Sequence, residues 1–100
     1  MNDFYKIDTT VSSTIYKGLT INKLFNHQFA EVLLICLEKN GLFPKHDSPR
    51  NTMLQMLEGE ITVHINQKNF VVKNQESFRF PAKEVHSVTA QQNSKFLIIR

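Results

Sequence analysis

The stretch Glu60-Ile61-Thr62-Val63-His64-Ile65-Asn66-Gln67-Lys68-Asn69-Phe70-Val71-Val72-Lys73 decides the fold of this chain of 100 residues. Its first six residues alternate strictly. Ile61, Val63 and Ile65 fall on one side, and Glu60, Thr62 and His64 on the other. A period of two sends successive side chains to opposite faces of an extended chain, so this segment reads as a half-buried strand. Asn66 to Asn69 is polar and Phe70 to Lys73 is extended again, which predicts a hairpin closed by a four-residue loop.

The same reading extends outward in both directions. Upstream, Thr52 to Leu57 is a strand stopped by Glu58-Gly59, and Asn40-Gly41 is a turn signal. Downstream, Asn74 to Glu76 turns, and Phe78 and Phe80 flank Arg79 on a strand closed by Pro81. Val85 to Ala90 is a further strand, Gln91 to Ser94 a turn, and Lys95 to Arg100 the last strand. Many short strands at this spacing predict a sandwich or small barrel, an all-β fold. Residues 18–40 fit two patterns. Ile21, Leu24, Phe25, Phe29, Val32, Leu33 and Cys36 make a helical stripe, whereas Asn26-His27 reads as a turn between two strands. Periodicity alone does not choose between them. Residues 1–17 are polar and read as an arm contributing at most one edge strand, with 18–100 as a single barrel domain.

Composition narrows the class. With 41% hydrophobic and 21% charged residues the chain can build a core. The net charge of +3 comes from twelve Lys and Arg spread from Lys6 to Arg100 without a run. A nucleic-acid surface shows a clustered basic face, so no nucleic acid is expected as a partner. The apolar runs are too short to cross a bilayer, and Met1 to Lys6 lacks the apolar core of a signal segment, so a cytoplasmic, non-membrane protein is expected. Cys36 has no partner for an internal disulfide. It sits inside Val32 to Leu37 and reads as a small buried hydrophobe. Val32 to Leu37 and Phe96 to Ile99 are apolar on both faces. Strands of that kind need cover on both sides, which predicts a homodimer.

Two frames around histidines carry the remaining information. The first runs from Gly41 through Pro44, His46, Ser48 and Thr52 to Leu57-Glu58-Gly59. The second is Phe80-Pro81-Ala82-Lys83-Glu84-Val85-His86-Ser87-Val88. Together they resemble the paired signature of the cupin superfamily over roughly residues 41–100. The resemblance implies a cupin-type double-stranded β-helix, a jelly-roll barrel, and favours strands for residues 18–40. Its usual glycines in the second frame are Gln75 and Lys83 here.

The resemblance also implies four metal-ligand positions, at His46, Ser48, Thr52 and His86. Only the two histidines are good ligands for a transition metal, because a serine or threonine hydroxyl ligates poorly unless deprotonated. A carboxylate would complete the set, but alternation sends Asp47 to the face opposite His46, and Glu58 and Glu60 flank a turn. The expected metal is therefore none, or a weakly bound divalent transition ion on His46 and His86. The expected pocket has a polar centre of His46, Ser48, Thr52 and His86, with Leu54, Met56, Phe78, Phe80 and Val88 as its apolar lining. Lys45 and Arg50 stand near its mouth. His27 and His64 read as surface residues.

Two functions from different classes follow. One is a barrel that binds a small, partly apolar molecule without a full metal-ligand set. The other is a metal-dependent small-molecule enzyme, of dioxygenase or isomerase type, using His46 and His86. Acid–base isomerisation by a histidine without metal is a third option. Fold class does not choose among them.

Overall fold

The computed structural model describes residues 5–100. Among them the chain forms one helical turn, α1 (Thr10–Ser13), and nine strands: β1 (Leu19–His27), β2 (Ala30–Leu37), β3 (Leu42–His46), β4 (Thr52–Glu58), β5 (Glu60–Ile65), β6 (Lys68–Lys73), β7 (Ser77–Phe80), β8 (His86–Ala90) and β9 (Ser94–Ile99). They pair antiparallel into a five-stranded sheet, β1-β2-β9-β4-β7, and a four-stranded sheet, β3-β8-β5-β6. This is the jelly-roll double-stranded β-helix. Residues 18–40 are strands, which decides the ambiguity of their periodicity.

The core is what alternation requires. Ile35, Leu37, Leu54, Met56, Phe96 and Ile98 point inward from the larger sheet, and Ile61, Val63, Val72 and Val88 meet them from the smaller one. The β5–β6 hairpin differs from expectation in its loop. Ile65 pairs with Lys68, so the turn is the two residues Asn66 and Gln67, with φ of 53° and 59°. A two-residue turn with both central residues left-handed matches the strand twist, and it takes Lys68 and Asn69 into the ladder. The β1–β2 turn is likewise displaced, to Gln28-Phe29, because pairing continues to His27 and Ala30.

Gly59 joins β4 to β5 at φ 95°. A Cβ there would overlap Ser94 Oγ and the Asn93 carbonyl oxygen, and would lie 2.7 Å from Ser94 Cα. Only glycine fits this backbone approach.

The arm contributes no strand among the described residues. Residues 1–4 lie outside the described residues, and residues 5–17 hold α1 and no strand. The arm lies instead on the outer face of the larger sheet. Lys95 Nζ donates to the Val11 carbonyl at 2.7 Å and sits 5.4 Å from the centre of the Tyr16 ring. Cys36 Sγ lies 3.7 Å from the Ile15 carbonyl oxygen. Leu34 and Cys36, which face outward, are fully buried. Burial pushes the Cys36 thiol up, so it stays protonated at neutral pH. Part of the second cover that these strands need thus comes from within the chain. Val32, Leu97 and Ile99 on the same face are only half-buried.

Candidate functional site

The site lies between the sheets, and strand register builds it. Phe43 pairs with Val88 and His46 with His86, with a register shift between them. Three steps along β3 match two along β8, so one extra residue is accommodated at Pro44-Lys45. Without that bulge His46 would face outward; with it, both histidines face in. Pro44 is tolerated because β3 is an edge strand. From the opposite sheet, Thr52 pairs with Phe80 and both point inward.

The two imidazoles are in contact, with ring centroids 4.1 Å apart and planes at 63°. His46 stacks on Phe43 at 4.1 Å, and Phe80 lies 4.4 Å from His86. His46 Nδ1 is 2.6 Å from the Pro44 carbonyl oxygen, and His86 Nδ1 is 2.9 Å from that of Glu84. A carbonyl only accepts, so each Nδ1 carries the proton and donates it. That leaves each Nε2 without a protein partner among the described residues. Burial pushes the His86 pKa down, and the charges of His46 and Arg100 act the same way, against the Glu84 carbonyl and Asp47. His86 is thus neutral at pH 7, and its Nε2 is a lone-pair acceptor.

Ser48 and Thr52 do something other than wait for a ligand. Their hydroxyls are 3.0 Å apart, and Thr52 Oγ1 is 3.0 Å from the Arg50 carbonyl oxygen. That carbonyl must accept, so the Thr52 proton goes to it and the Ser48 proton goes to Thr52. Ser48 Oγ is left accepting from Arg100 Nη1 at 3.3 Å and, weakly, from the Arg50 amide at 3.4 Å. Arg100 Nε in turn donates to Glu31 Oε1 at 2.9 Å. Donors and acceptors therefore run in one direction, from Arg100 through Ser48 and Thr52 to a backbone carbonyl.

A cavity of about 310 Å³ opens onto this network. It is lined by Ile21, Leu33, Ile35, Phe43, Phe80 and Ile98, and by His46, Asp47, Ser48, Thr52, His86 and Arg100. Five of the expected pocket residues meet there: His46, Ser48, Thr52, Phe80 and His86. Leu54, Met56 and Val88 do not; they are packed in the core, at 1%, 1% and 2% exposure. Phe78 lies between Phe70 and Phe80 at another part of the barrel. Inward parity alone does not separate lining from core, because residues of the same parity are either packed fully in the core or open to the cavity. Asp47 reaches the rim although alternation predicts otherwise, since β3 ends at His46 and its period ends with it. Lys45 and Arg50 are exposed and do not line the cavity. His64 is satisfied elsewhere, by Asn69 Oδ1 at 2.7 Å and Thr89 Oγ1 at 2.9 Å.

Arg100 is a charged lining residue that sequence reading missed. The signal was the inward series Phe96, Ile98, Arg100, with Glu31 as its cross-strand neighbour through paired backbone hydrogen bonds.

The residues fit a resident metal poorly. Among the described residues no group of three His, Cys, Asp or Glu side chains is arranged to hold an ion. Both hydroxyls at the other expected ligand positions are engaged, and a guanidinium bonded to Ser48 brings a permanent positive charge to the place a cation would occupy.

The cupin domain model matches residues 33–99. No curated protein matches the chain. Among solved structures, a conserved protein of unknown function from Streptococcus pyogenes is similar at TM-score 0.81 and 20% identity, over 99% of this chain and 88% of that one. A cupin superfamily protein from Desulfitobacterium hafniense is similar at TM-score 0.82 and 13% identity, over 95% and 89%. An RmlC-like cupin protein from Desulfovibrio desulfuricans gives TM-score 0.83 and 13% identity, over 94% and 93%. At these identities the likeness concerns the fold.

Proposed function

The chain belongs to the cupin family, and from that premise we propose that its barrel binds a small, partly apolar molecule by hydrogen bonds and packing, without a resident metal. One observation carries this reading: a cavity of about 310 Å³ with an apolar wall and a polar end. That volume is at the lower end of small-molecule sites, about 300–1,000 Å³. The Nε2 of neutral His86 offers an acceptor, and Arg100 offers donors. Ile21, Leu33, Phe43 and Ile98 supply apolar contact.

A panel of small acids, alcohols, amides and amines tests this by thermal shift. A member present at a hundredfold excess over its dissociation constant stabilises the fold by about 2.7 kcal/mol, worth a rise of several degrees in Tm. Leu33→Trp, which fills the cavity, should abolish the shift. No stabilisation by any member overturns the reading.

The competing reading, a metal-dependent enzyme, draws on the two open Nε2 atoms. It needs a third protein ligand, and metal analysis decides it. We also propose a homodimer, supported by half-buried Val32, Leu97 and Ile99 on the outer face, and a cytoplasmic location, supported by the unpaired Cys36. No helix among the described residues is long and apolar enough to cross a membrane.

A further inference from the structure

We propose that the ligand is a small hydroxycarboxylic acid with an apolar side chain, held at its carboxylate by Arg100 and at its hydroxyl by the histidine pair; this rests on the binding reading above. Four observations lead to it.

The first is charge. Glu31 is shared by two cations: Arg100 Nε at 2.9 Å and Lys23 Nζ at 3.5 Å. The one carboxylate that Arg100 touches is therefore divided between two cations. Lys23 is more than half exposed, at 55%, whereas the Arg100 side chain is 22% exposed. Asp47 also stands at the rim, but it is exposed, so water and salt screen it more strongly than they screen the guanidinium.

The second is donor capacity. A guanidinium has five N–H donors in a planar fork. Glu31 and Ser48 take one each, and three remain for a ligand. A carboxylate meets such a fork with two parallel hydrogen bonds.

The third is orientation. Ser48 is nearly fully buried, at 2% exposure, and its hydroxyl is fixed through Thr52 to the Arg50 carbonyl. It therefore presents only a lone pair toward Arg100. With Glu31 on the other side, the guanidinium is held in one place before any ligand arrives. Ser48, Thr52 and Glu31 are positioning residues for Arg100.

The fourth is the sign of the histidine end. Each Nδ1–H is committed to a backbone carbonyl, so Nε2 is the ring nitrogen left for a ligand, with its lone pair as the acceptor. It calls for a ligand O–H. A hydroxyl supplies one; a second carboxylate at neutral pH does not. The rest of the lining, Ile21, Leu33, Ile35, Phe43, Phe80 and Ile98, is apolar, which leaves room for a branched or aromatic side chain.

Isothermal titration calorimetry on the full chain tests this with three probes: 2-hydroxy-3-methylbutanoate, its uncharged amide, and 3-methylbutanoate, which lacks the hydroxyl. In the wild type the hydroxy acid is expected to bind at least tenfold tighter than either of the others, and the preference over the amide should shrink as salt rises. R100Q is expected to bind acid and amide alike, and R100K to restore part of the preference. H86F is expected to lose the preference for the hydroxyl while keeping that for the charge. Equal binding of acid and amide by the wild type overturns the carboxylate assignment yet leaves the binding reading standing. Binding of none of the three overturns the hydroxy-acid inference, while the wider thermal-shift panel still decides whether the barrel binds anything. The wild-type comparison needs no variant to fold.

Discussion

Ser48 and Thr52 occupy two of the four ligand positions that the cupin resemblance implies, and their hydroxyls bond to each other, to the Arg50 carbonyl and to Arg100. Each hydroxyl has one proton, and the Arg50 carbonyl fixes where both go. The pair becomes a one-way platform for Arg100. Ser48→Ala keeps the volume nearly constant but removes the acceptor facing the guanidinium and leaves the buried Thr52 hydroxyl one donor short. It is expected to cost about 1–2 kcal/mol, read by urea denaturation. His86 gives a second test at this scale. Its pKa is lowered in the fold by burial, so the unfolded chain takes up a proton first as the pH falls. Its contribution to stability is complete above the ordinary histidine value of about 6.5 and is lost below it, as pH falls toward the depressed folded value. The melting temperature should therefore decline between pH 7.5 and 5. His86→Phe, which cannot take up a proton, should flatten that part of the profile. An unchanged slope in the variant would mean that another group carries it.

Turns and bulges decide how the strands deliver these residues. At Asn66-Gln67 both residues are left-handed, a conformation that costs a non-glycine residue roughly 1 kcal/mol. Gln67→Gly is expected to stabilise the protein by about 0.5–1 kcal/mol, visible as a raised urea midpoint. Gly59→Ala is expected to destabilise it by roughly 3 kcal/mol, because strain at positive φ adds to overlap with Ser94 and the Asn93 carbonyl. These details mark the boundary of what the sequence reveals. Alternation made β5 and β7 legible, since each has one face in the core, and the polar turns between apolar runs marked β4, β8 and β9. It did not reveal the bulge at Pro44-Lys45, which leaves no periodic trace, although it aims His46. Asp47 and Arg100 were missed for related reasons. Asp47 lies just past the end of a strand, where alternation stops, and Arg100 reads as a terminal charge until its cross-strand neighbour Glu31 is known. Leu54, Met56 and Val88 share the inward parity of the true lining, and parity carries no information about depth.

Across the whole molecule, the arm covers part of the outer face of the larger sheet and leaves Val32, Leu97 and Ile99 half-buried. A chain starting at Gly18 should expose Cys36, which the full chain protects under Ile15; its reaction with a thiol reagent is expected to accelerate by at least tenfold. Light scattering of the full chain is expected to give twice 11.6 kDa at micromolar concentration, and a value of one chain mass would contradict the dimer.

The central claim is that this barrel's polar centre is organised by Arg100 and hydrogen bonds, with no resident metal ion. Elemental analysis of untagged protein, expressed with metal supplementation and measured beside a His46→Ala/His86→Ala variant, tests it most directly. The account predicts far less than one equivalent of iron, nickel, manganese or zinc in both proteins. Near-stoichiometric metal in the wild type that disappears in the variant would contradict it.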